Sequence, residues 1–198
     1  VLHVRPLWGN VQTRLAKVLE GEGVERYDAT LMAAAGLARC GLMDQAGPAI
    51  GPAEVMPAAC QGALAIQCRA DDHVTLTRCL PLNDPNTATA VHAEREVVAG
   101  LGADCHSPVA VMGEVIDRPA DAARRERGQW LRLRARVIRP DGQRCAEAED
   151  RAPASRARHL VQSVRDQLDQ QGASQILADA RQAPLAADPA PSRPHAGG

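Results

Sequence analysis

The chain has 198 residues, 45% of them hydrophobic, so it can bury a core in one domain or in two small ones. Its 23 basic and 24 acidic residues give a net charge of −1, which excludes the broad positive field of a nucleic-acid-binding or membrane-surface protein. No apolar run approaches the roughly 20 residues that span a bilayer, and the first residues lack the pattern of a signal peptide. We therefore expect a globular cytoplasmic protein.

The cysteines and histidines show no spacing typical of a metal site. The chain contains no CxxC pair and no HxxxH array, so we expect no metal and six reduced thiols. Two Trp, one Tyr and no Phe leave few rings on which bases of a nucleic acid could stack.

The first third of the chain reads as an α/β layer. "VLHV" at residues 1–4 predicts a short strand, and Asn10 is a good N-cap for a helix that begins at Val11 and ends before Gly21. Residues 29–32 predict a buried strand and residues 33–40 a short helix. Strands that alternate with helices are typical of α/β folds.

A connection rich in Gly, Pro and Ala follows at residues 46–62 and indicates a boundary between units. "ALAIQCR" at residues 63–69 predicts a strand covered on both faces. "DDHVTLTRCLPL" predicts a helix behind it, which Pro81 and Pro85 interrupt.

The last third predicts a small α+β domain. Residues 87–105 predict a helix capped by Thr87 or Thr89, so that Cys105 lies just beyond its C-terminus. "PVAVMGEVI" and "WLRLRARVIRPDGQRCAEAE" predict an antiparallel sheet with one apolar face and three arginines on the solvated face: Arg132, Arg134 and Arg136. An amphipathic helix over residues 154–170 covers this sheet, and a shorter helix around Ile176 and Leu177 follows it.

Few side chains suggest chemistry by pattern alone. Arg14, near the start of a helix, and Arg39 suit carboxylate binding, although an arbitrary arginine is more often a solvated surface residue. Cys105 and His106 are adjacent, which does not favour a catalytic pair, so a buried structural cysteine is the simpler interpretation. The acidic residues of the predicted helices are interpreted as solvent-facing or capping, among them Asp71, Asp72, Glu94 and Glu96.

Several motifs, in order, carry a resemblance to a known family. They are "LWGNVQTRLAKV", "YDATLMAAAGLARCGL", "MPAACQGALAIQCR", "HAEREVVAGLGADCHSPVAV" and "LRARVIRPDG". Together they resemble the porphobilinogen deaminases, also called hydroxymethylbilane synthases, over about residues 1 to 180. The resemblance implies a transferase of heme and tetrapyrrole biosynthesis that condenses four porphobilinogen units, with loss of ammonia, into hydroxymethylbilane.

The family assembles its product on a dipyrromethane cofactor bound through a thioether to one cysteine, and the resemblance assigns that cysteine to Cys105. It assigns binding of the pyrrole carboxylates to Arg14 and Arg39, and it makes Gln61, in a strand that returns toward the cleft, a third substrate-binding residue. Two positions depart from the family pattern. Trp8 stands where the family has an arginine, so we expect weaker binding of cofactor or substrate, and Asp104 stands where the family usually has glycine.

The resemblance also implies a domain map. Residues 1–58 are expected to be the remainder of a periplasmic-binding-protein-like α/β domain, and residues 59–84 a strand and helix that cross into a similar first domain. Residues 86–182 are expected to form the C-terminal α+β domain, and residues 183–198 a disordered tail. The family's catalytic aspartate matches no residue of this chain and is expected upstream, so we expect this part alone to be inactive and the full-length protein to be a monomer.

Two other functions stay open from the sequence. Trp8 and the lack of the catalytic aspartate allow a non-catalytic anion-binding or interaction module derived from the same fold. A general nucleic-acid binder would show salt-sensitive binding, which the charge balance does not favour.

Overall fold

The structure, a computed structural model, describes residues 3–21, 26–123, 126 and 128–182. It divides the chain into two compact units between Gly51 and Pro52, inside the predicted connection. None of the helices in the described ranges has both the length and the apolar character needed to cross a membrane. The predicted disordered tail, residues 183–198, lies outside the described residues.

The first unit contains two helices, α1 (Val11–Leu19) and α2 (Ala34–Arg39). Asn10 caps α1 as predicted, because its Oδ1 accepts a hydrogen bond of 2.8 Å from the backbone N–H of Thr13. The two helices approach each other closely, since a Cβ atom added to Gly36 of α2 would lie 3.5 Å from Cγ2 of Val11.

The described residues of this unit contain neither of the two predicted strands, and residues 1–2 of the first lie outside them. Residues 3–4 and 29–32 have no regular structure, and the side chain of Leu31 is 70% exposed. A strand needs a neighbour that accepts and donates its backbone hydrogen bonds, and the described residues of this unit contain no strand that could serve.

The second unit also begins with a segment that was predicted as a strand but is not one. Residues 63–69, predicted as a strand covered on both faces, have no regular structure, and Leu64 and Ile66 are 83% and 61% exposed. The helix behind them forms as α3 (His73–Cys79), with the Asp72 carboxylate accepting a hydrogen bond from the N–H of Thr75. The apolar side chains of Leu64 and Ile66 are therefore exposed, because no neighbouring element covers them.

The remainder of this unit is the predicted α+β domain. Its sheet is antiparallel with the order β1-β2-β3, and β2 is the central strand. Leu133 in β2 pairs with Gly113 on one side and with Asp150 on the other. The elements are α4 (Pro85–Gly100), β1 (Val109–Ile116), β2 (Trp130–Ile138), β3 (Cys145–Pro153), α5 (Ala157–Gln170) and α6 (Ala173–Gln182).

The core lies between one face of this sheet and the helices that cover it. The alternate β2 residues predicted to face inward are at most 1% exposed: Leu131, Leu133, Ala135 and Val137. The predicted apolar stripe of α5 is buried against them, with Leu160, Val161, Val164 and Leu168 each at most 5% exposed. This domain follows the sequence pattern because its strands and covering helices all lie within one stretch of chain.

The start of α4 corrects the predicted cap. Asp84, not Thr87 or Thr89, is the N-cap, since its Oδ1 accepts a hydrogen bond of 2.7 Å from the N–H of Thr87. Pro85, predicted to interrupt a helix, is instead the first residue of this one, a position where its missing N–H costs nothing.

Candidate functional site

Cys105 lies at the exposed tip of a tight turn that follows α4. The helix ends at Gly100, the chain passes through Leu101, and Gly102 adopts a φ of +59°, which glycine reaches without the steric cost of a Cβ atom. Cys105 and His106 then occupy the two central positions between Asp104 and Ser107. The prediction that Cys105 lies just beyond a helix C-terminus is confirmed, and its side chain is exposed rather than buried.

The side chains of Asp104 and Ser107 close this turn. Asp104 donates its backbone N–H to Oγ of Ser107 at 2.9 Å, and that hydroxyl donates to Oδ1 of Asp104 at 2.8 Å. The same Oδ1 accepts the backbone N–H of His106 at 3.0 Å. Hydrogen bonds from the Ser107 hydroxyl and then from the His106 N–H lower the pKa of Asp104 below its ordinary value. Asp104 therefore shapes the turn in which Cys105 lies.

Two arginines from later helices hold the stem of the turn. Arg165 of α5 donates from Nη2 to the carbonyl of Gly100 at 2.8 Å, and Arg181 of α6 donates from Nη2 to the carbonyl of Gly102 at 2.5 Å. Carbonyl groups at the end of a helix have no partner within the helix, and cations there also oppose the negative end of its dipole. The stem is thus fixed by tertiary contacts that no local sequence pattern predicts.

Arg14 and Arg39 lie on the two helices of the first unit. Arg14 is half-buried and donates from Nε to the carbonyl of Gly9 at 2.7 Å, whereas Arg39, the last residue of α2, is exposed. Neither guanidinium forms an ion pair with a carboxylate of the described part of the chain. Both arginines therefore keep a charge that a bound anion can neutralise.

Arg14 and Arg39 each lie about one helical turn from a residue of the contact between α1 and α2. Arg14 follows Val11 by three residues and Arg39 follows Gly36 by three, and positions three apart share one face of a helix. Two of the four predicted site residues, Arg14 and Arg39, therefore lie in the first unit, each on a helix that takes part in this contact.

Trp8 immediately precedes α1 and is 60% exposed. The next residue, Gly9, has a φ of +124°, and a Cβ atom added there would lie 2.7 Å from Cγ2 of Thr13. The turn consequently requires glycine at position 9, whereas the large side chain of Trp8 occupies an open position next to it.

Gln61 lies in a turn rather than in the returning strand predicted for it. Residues 59–62 form this turn, the Gln61 side chain is exposed, and its Oε1 accepts the N–H of Ala58 at 3.2 Å. Cys60, the preceding residue, has a φ of +62°, a left-handed conformation that residues with a Cβ rarely adopt. Burial, followed by the nearby carboxylate of Glu94, raises the pKa of the Cys60 thiol, which does not favour a reactive thiolate.

Glu94 was expected to face solvent, and this prediction is wrong. Its side chain is 7% exposed, and its carboxylate accepts one hydrogen bond from the N–H of Cys60 and another from the N–H of Gly113. It is shielded because it lies on the same face of α4 as the buried residues Ala90 and Val97.

The arginine row of β2 is less solvated than predicted. Arg134 and Arg136 are 16% and 19% exposed, and they pair with Glu114 and Glu147 respectively. A groove of about 260 Å³ lies beside them, lined also by Pro52 and Met56. Its lining includes Glu147 and Glu149, so the charges of the two arginines are balanced there. The groove therefore offers no anion site comparable to the arginines of the first unit.

Sequence patterns indicate the structural roles of two residues that the sequence analysis did not assign, Asp104 and Glu94. The spacing Asp104-x-x-Ser107 is typical of a turn closed by side chains, and the apolar neighbours of Glu94 at helical spacing indicate that it faces inward. No sequence pattern indicates that Arg165 and Arg181 bind the carbonyl groups at the end of α4 and just beyond it.

Comparison with known families gives two matches in chain order. Residues 1–77 match the model described as "Porphobilinogen deaminase, dipyromethane cofactor binding domain", and residues 88–170 match "Porphobilinogen deaminase, C-terminal domain". The second match contains the Cys105 turn, the sheet and α5.

Curated relatives agree with these matches. The chain is 38% identical over 176 residues to proteins named porphobilinogen deaminase from Mycobacterium bovis and Mycobacterium tuberculosis, which covers 89% of this chain and 55% of each relative. It is 41% identical over 179 residues to the porphobilinogen deaminase of Paraburkholderia phytofirmans, covering 89% of this chain and 48% of that protein. The chain thus spans about half the length of the curated relatives it matches.

Proposed function

The chain belongs to the porphobilinogen deaminase family, and from this membership we propose that it contributes to a hydroxymethylbilane synthase. In this reaction four porphobilinogen units are condensed head to tail, each with loss of ammonia, into linear hydroxymethylbilane. The observation that carries the proposal is the order of the two family matches, which together extend from residue 1 to residue 170 with a short gap. The assignment as a transferase of tetrapyrrole biosynthesis follows from the same observation.

The cofactor of this reaction is proposed to be dipyrromethane, and Cys105 is proposed to hold it through a thioether. The fit rests on the exposure of the Cys105 side chain at the tip of a turn whose stem is fixed by Arg165 and Arg181. When bound, the cofactor supplies the anchored end on which the product chain is built. The protein's own contribution is to hold this sulfur in an ordered but solvent-accessible turn.

Arg14, Arg39 and Gln61 are proposed to bind the acetate and propionate groups of the pyrroles. Guanidinium groups match carboxylates in shape and charge, and neither arginine is neutralised by an acidic residue of the described chain. The Gln61 side chain is exposed and offers amide donors to the same kind of group. No residue of this chain is proposed to transfer protons, a role that the family gives to its upstream aspartate.

The domain map remains part of the proposal. Residues 1–58 are proposed to belong to a periplasmic-binding-protein-like α/β domain, residues 59–84 to cross into a similar domain, and residues 86–182 to form the cofactor-bearing domain. The exposure of Leu64 and Ile66 supports this map, because apolar residues that are exposed in one unit are covered when a neighbouring sheet is present. A monomeric state and a cytoplasmic location complete the proposal.

Intact mass spectrometry of the protein expressed from its complete reading frame tests the cofactor assignment. We expect an added mass of two pyrrole units that peptide mapping places on Cys105, and we expect its absence in the Cys105→Ser variant. An unmodified Cys105 in a protein that turns over porphobilinogen normally would refute the assignment.

The Trp8→Arg variant separates an active enzyme from an anion-binding module derived from the fold. A charge-assisted hydrogen bond contributes about 1.5–3 kcal/mol, so restoring the family arginine is expected to raise porphobilinogen affinity by roughly tenfold or more. A rise in turnover or cofactor loading supports the enzyme. Unchanged turnover and loading would favour the non-catalytic module.

A further inference from the structure

Glu94 is the one charged residue that is buried among the described residues. A carboxylate removed from water requires partners, because an unsatisfied buried charge is strongly destabilising. The partners of Glu94 are not the side chains of its own helix but backbone groups of two other segments of the same unit. Glu94 therefore connects three segments of the second unit, and the proposed function assigns it no role.

Each oxygen of the Glu94 carboxylate binds a different segment. Oε2 accepts the N–H of Cys60 at 2.6 Å, and Oε1 accepts the N–H of Gly113 at 2.7 Å. Glu94 therefore joins α4 to the turn of residues 59–62 on one side and to β1 on the other. These partners are 34 and 19 residues away in the sequence, so the bridge is entirely tertiary.

Both partner residues have backbones adapted to this bridge. Cys60 holds a left-handed φ of +62°, and a conformation of this kind persists when surrounding contacts fix it. At Gly113, an added Cβ atom would lie 3.0 Å from the carbonyl oxygen of Ala90, so a side chain there would push β1 away from α4. The close approach brings the Gly113 N–H within reach of the Glu94 carboxylate.

We propose that Glu94 is a positioning residue that fixes the Gln61 turn onto the domain carrying Cys105. The carboxylate holds the N–H of Cys60, which is the immediate neighbour of Gln61, and the helix that carries Glu94 leads directly into the Cys105 turn. In consequence the group that binds a substrate carboxylate and the sulfur that anchors the product chain keep one relative placement. This inference rests on the proposed function, because it uses the roles given there to Gln61 and Cys105.

The bridge requires a carboxylate specifically. Its two oxygens both accept hydrogen bonds, whereas a glutamine amide has one accepting oxygen and one NH₂ group that would face a donor. The Glu94→Gln variant preserves shape and removes one of the two bonds. Glu96→Gln, on the exposed side of the same helix, is the matched control.

Amide hydrogen exchange tests the bridge without any dependence on catalysis. In Glu94→Gln we expect exchange at least tenfold faster at the amide of Cys60 or Gly113, with unchanged exchange in the β2–β3 pairs, and we expect no change in Glu96→Gln. Equal exchange in both variants at both amides would overturn the bridge. Should Glu94→Gln not fold, Glu94→Asp, which keeps both oxygens but shortens their reach, is measured in the same way.

Steady-state kinetics of the protein from its complete reading frame tests the positioning role. We expect Glu94→Gln to raise KM for porphobilinogen at least fivefold while the adduct on Cys105 is retained, and Glu96→Gln to match the wild type. Faster exchange with unchanged KM would show a purely structural bridge and overturn the positioning role. A wild-type protein with neither adduct nor turnover would refute the proposed function and, with it, the positioning role of Glu94. The exchange experiment would still decide whether Glu94 bridges Cys60 and Gly113.

Discussion

Asp104 and Ser107 each donate a hydrogen bond to the other and accept one in return across the turn that carries Cys105. The backbone N–H of Asp104 meets the Ser107 hydroxyl at 2.9 Å, and this hydroxyl meets the Asp104 carboxylate at 2.8 Å. Such reciprocal pairs fix a turn locally, because each side chain satisfies a group that the turn would otherwise leave without a partner. The position of the Cys105 backbone therefore depends on two side chains that have no proposed contact with substrate.

Removing the Ser107 hydroxyl is expected to loosen this turn. Ser107→Ala deletes both reciprocal bonds, so the amide of Asp104 should exchange with solvent several-fold faster in a hydrogen-exchange experiment. Ser163→Ala, which removes a hydroxyl bonded to Asp150 elsewhere in the domain, serves as the control and should leave the Asp104 amide unchanged. Identical exchange at Asp104 in all three proteins would contradict the prediction.

The same turn is expected to open in acid. Because the pKa of Asp104 in the folded protein is lowered from its ordinary value of 3.8, its contribution to the turn is fully present above that value. The contribution is lost as the pH falls below 3.8 and through the lower folded value. Titration of the His106 amide chemical shift from pH 6 downward measures this transition, and Asp104→Asn should abolish it. A midpoint above 3.8 would contradict the sign of the shift.

Gly36→Ala is expected to stabilise α2, and Gly41→Ala to destabilise it. Alanine in a helix is favoured over glycine by about 0.5–1 kcal/mol, and the new methyl would make ordinary van der Waals contact with Val11. Gly41 has a φ of +68°, where a Cβ atom costs about 1–2 kcal/mol. The free energy of opening of α2, measured by amide exchange, should move in opposite directions in the two variants. Stabilisation in both variants would show that the left-handed end of α2 is not required, whereas destabilisation in both would contradict the prediction for Gly36.

A pair of leucines distinguishes the packed core from the exposed segment. Leu131 is fully buried in β2, so Leu131→Ala is expected to lower the free energy of unfolding by about 2–5 kcal/mol. Leu64 is 83% exposed, so Leu64→Ala is expected to change the free energy by less than about 0.5 kcal/mol. Urea unfolding followed by circular dichroism measures both. A large loss in Leu64→Ala would indicate that Leu64 is covered in solution, as the proposed domain map requires of the complete protein.

The local parts of this fold were predictable from the sequence. The apolar spacing of Leu160, Val164 and Leu168 predicts α5, because the faces of a helix are set by its own periodicity. Asn10 predicts the start of α1 for a similar reason, since its partner Thr13 is only three residues away. The cap at Asp84 is equally local, but the sequence pattern predicts that Pro85 ends a helix, whereas this proline begins one.

Features that depend on distant partners were not predictable. The apolar run at residues 63–69 is typical of a buried strand, but a strand forms only beside another strand that pairs with its backbone groups. The spacing within α4 indicates that Glu94 faces inward, but it does not reveal that the N–H groups of Cys60 and Gly113 are its partners. The resemblance to a family assigned the cofactor to Cys105, whereas residue chemistry alone favoured a buried structural cysteine; the structure shows an exposed side chain at this position.

The contact between Arg181 and Gly102 has a consequence for the order in which the protein matures. The two residues are 79 positions apart, so the ribosome must add α5 and most of α6 before the stem of the Cys105 turn can take its final form. Residue 181 also lies beyond the end of the family match at residue 170. A chain that ended between residues 170 and 181 would contain every residue of the turn and the whole matched domain, yet of the two arginines that hold the stem below Cys105 it would keep only Arg165.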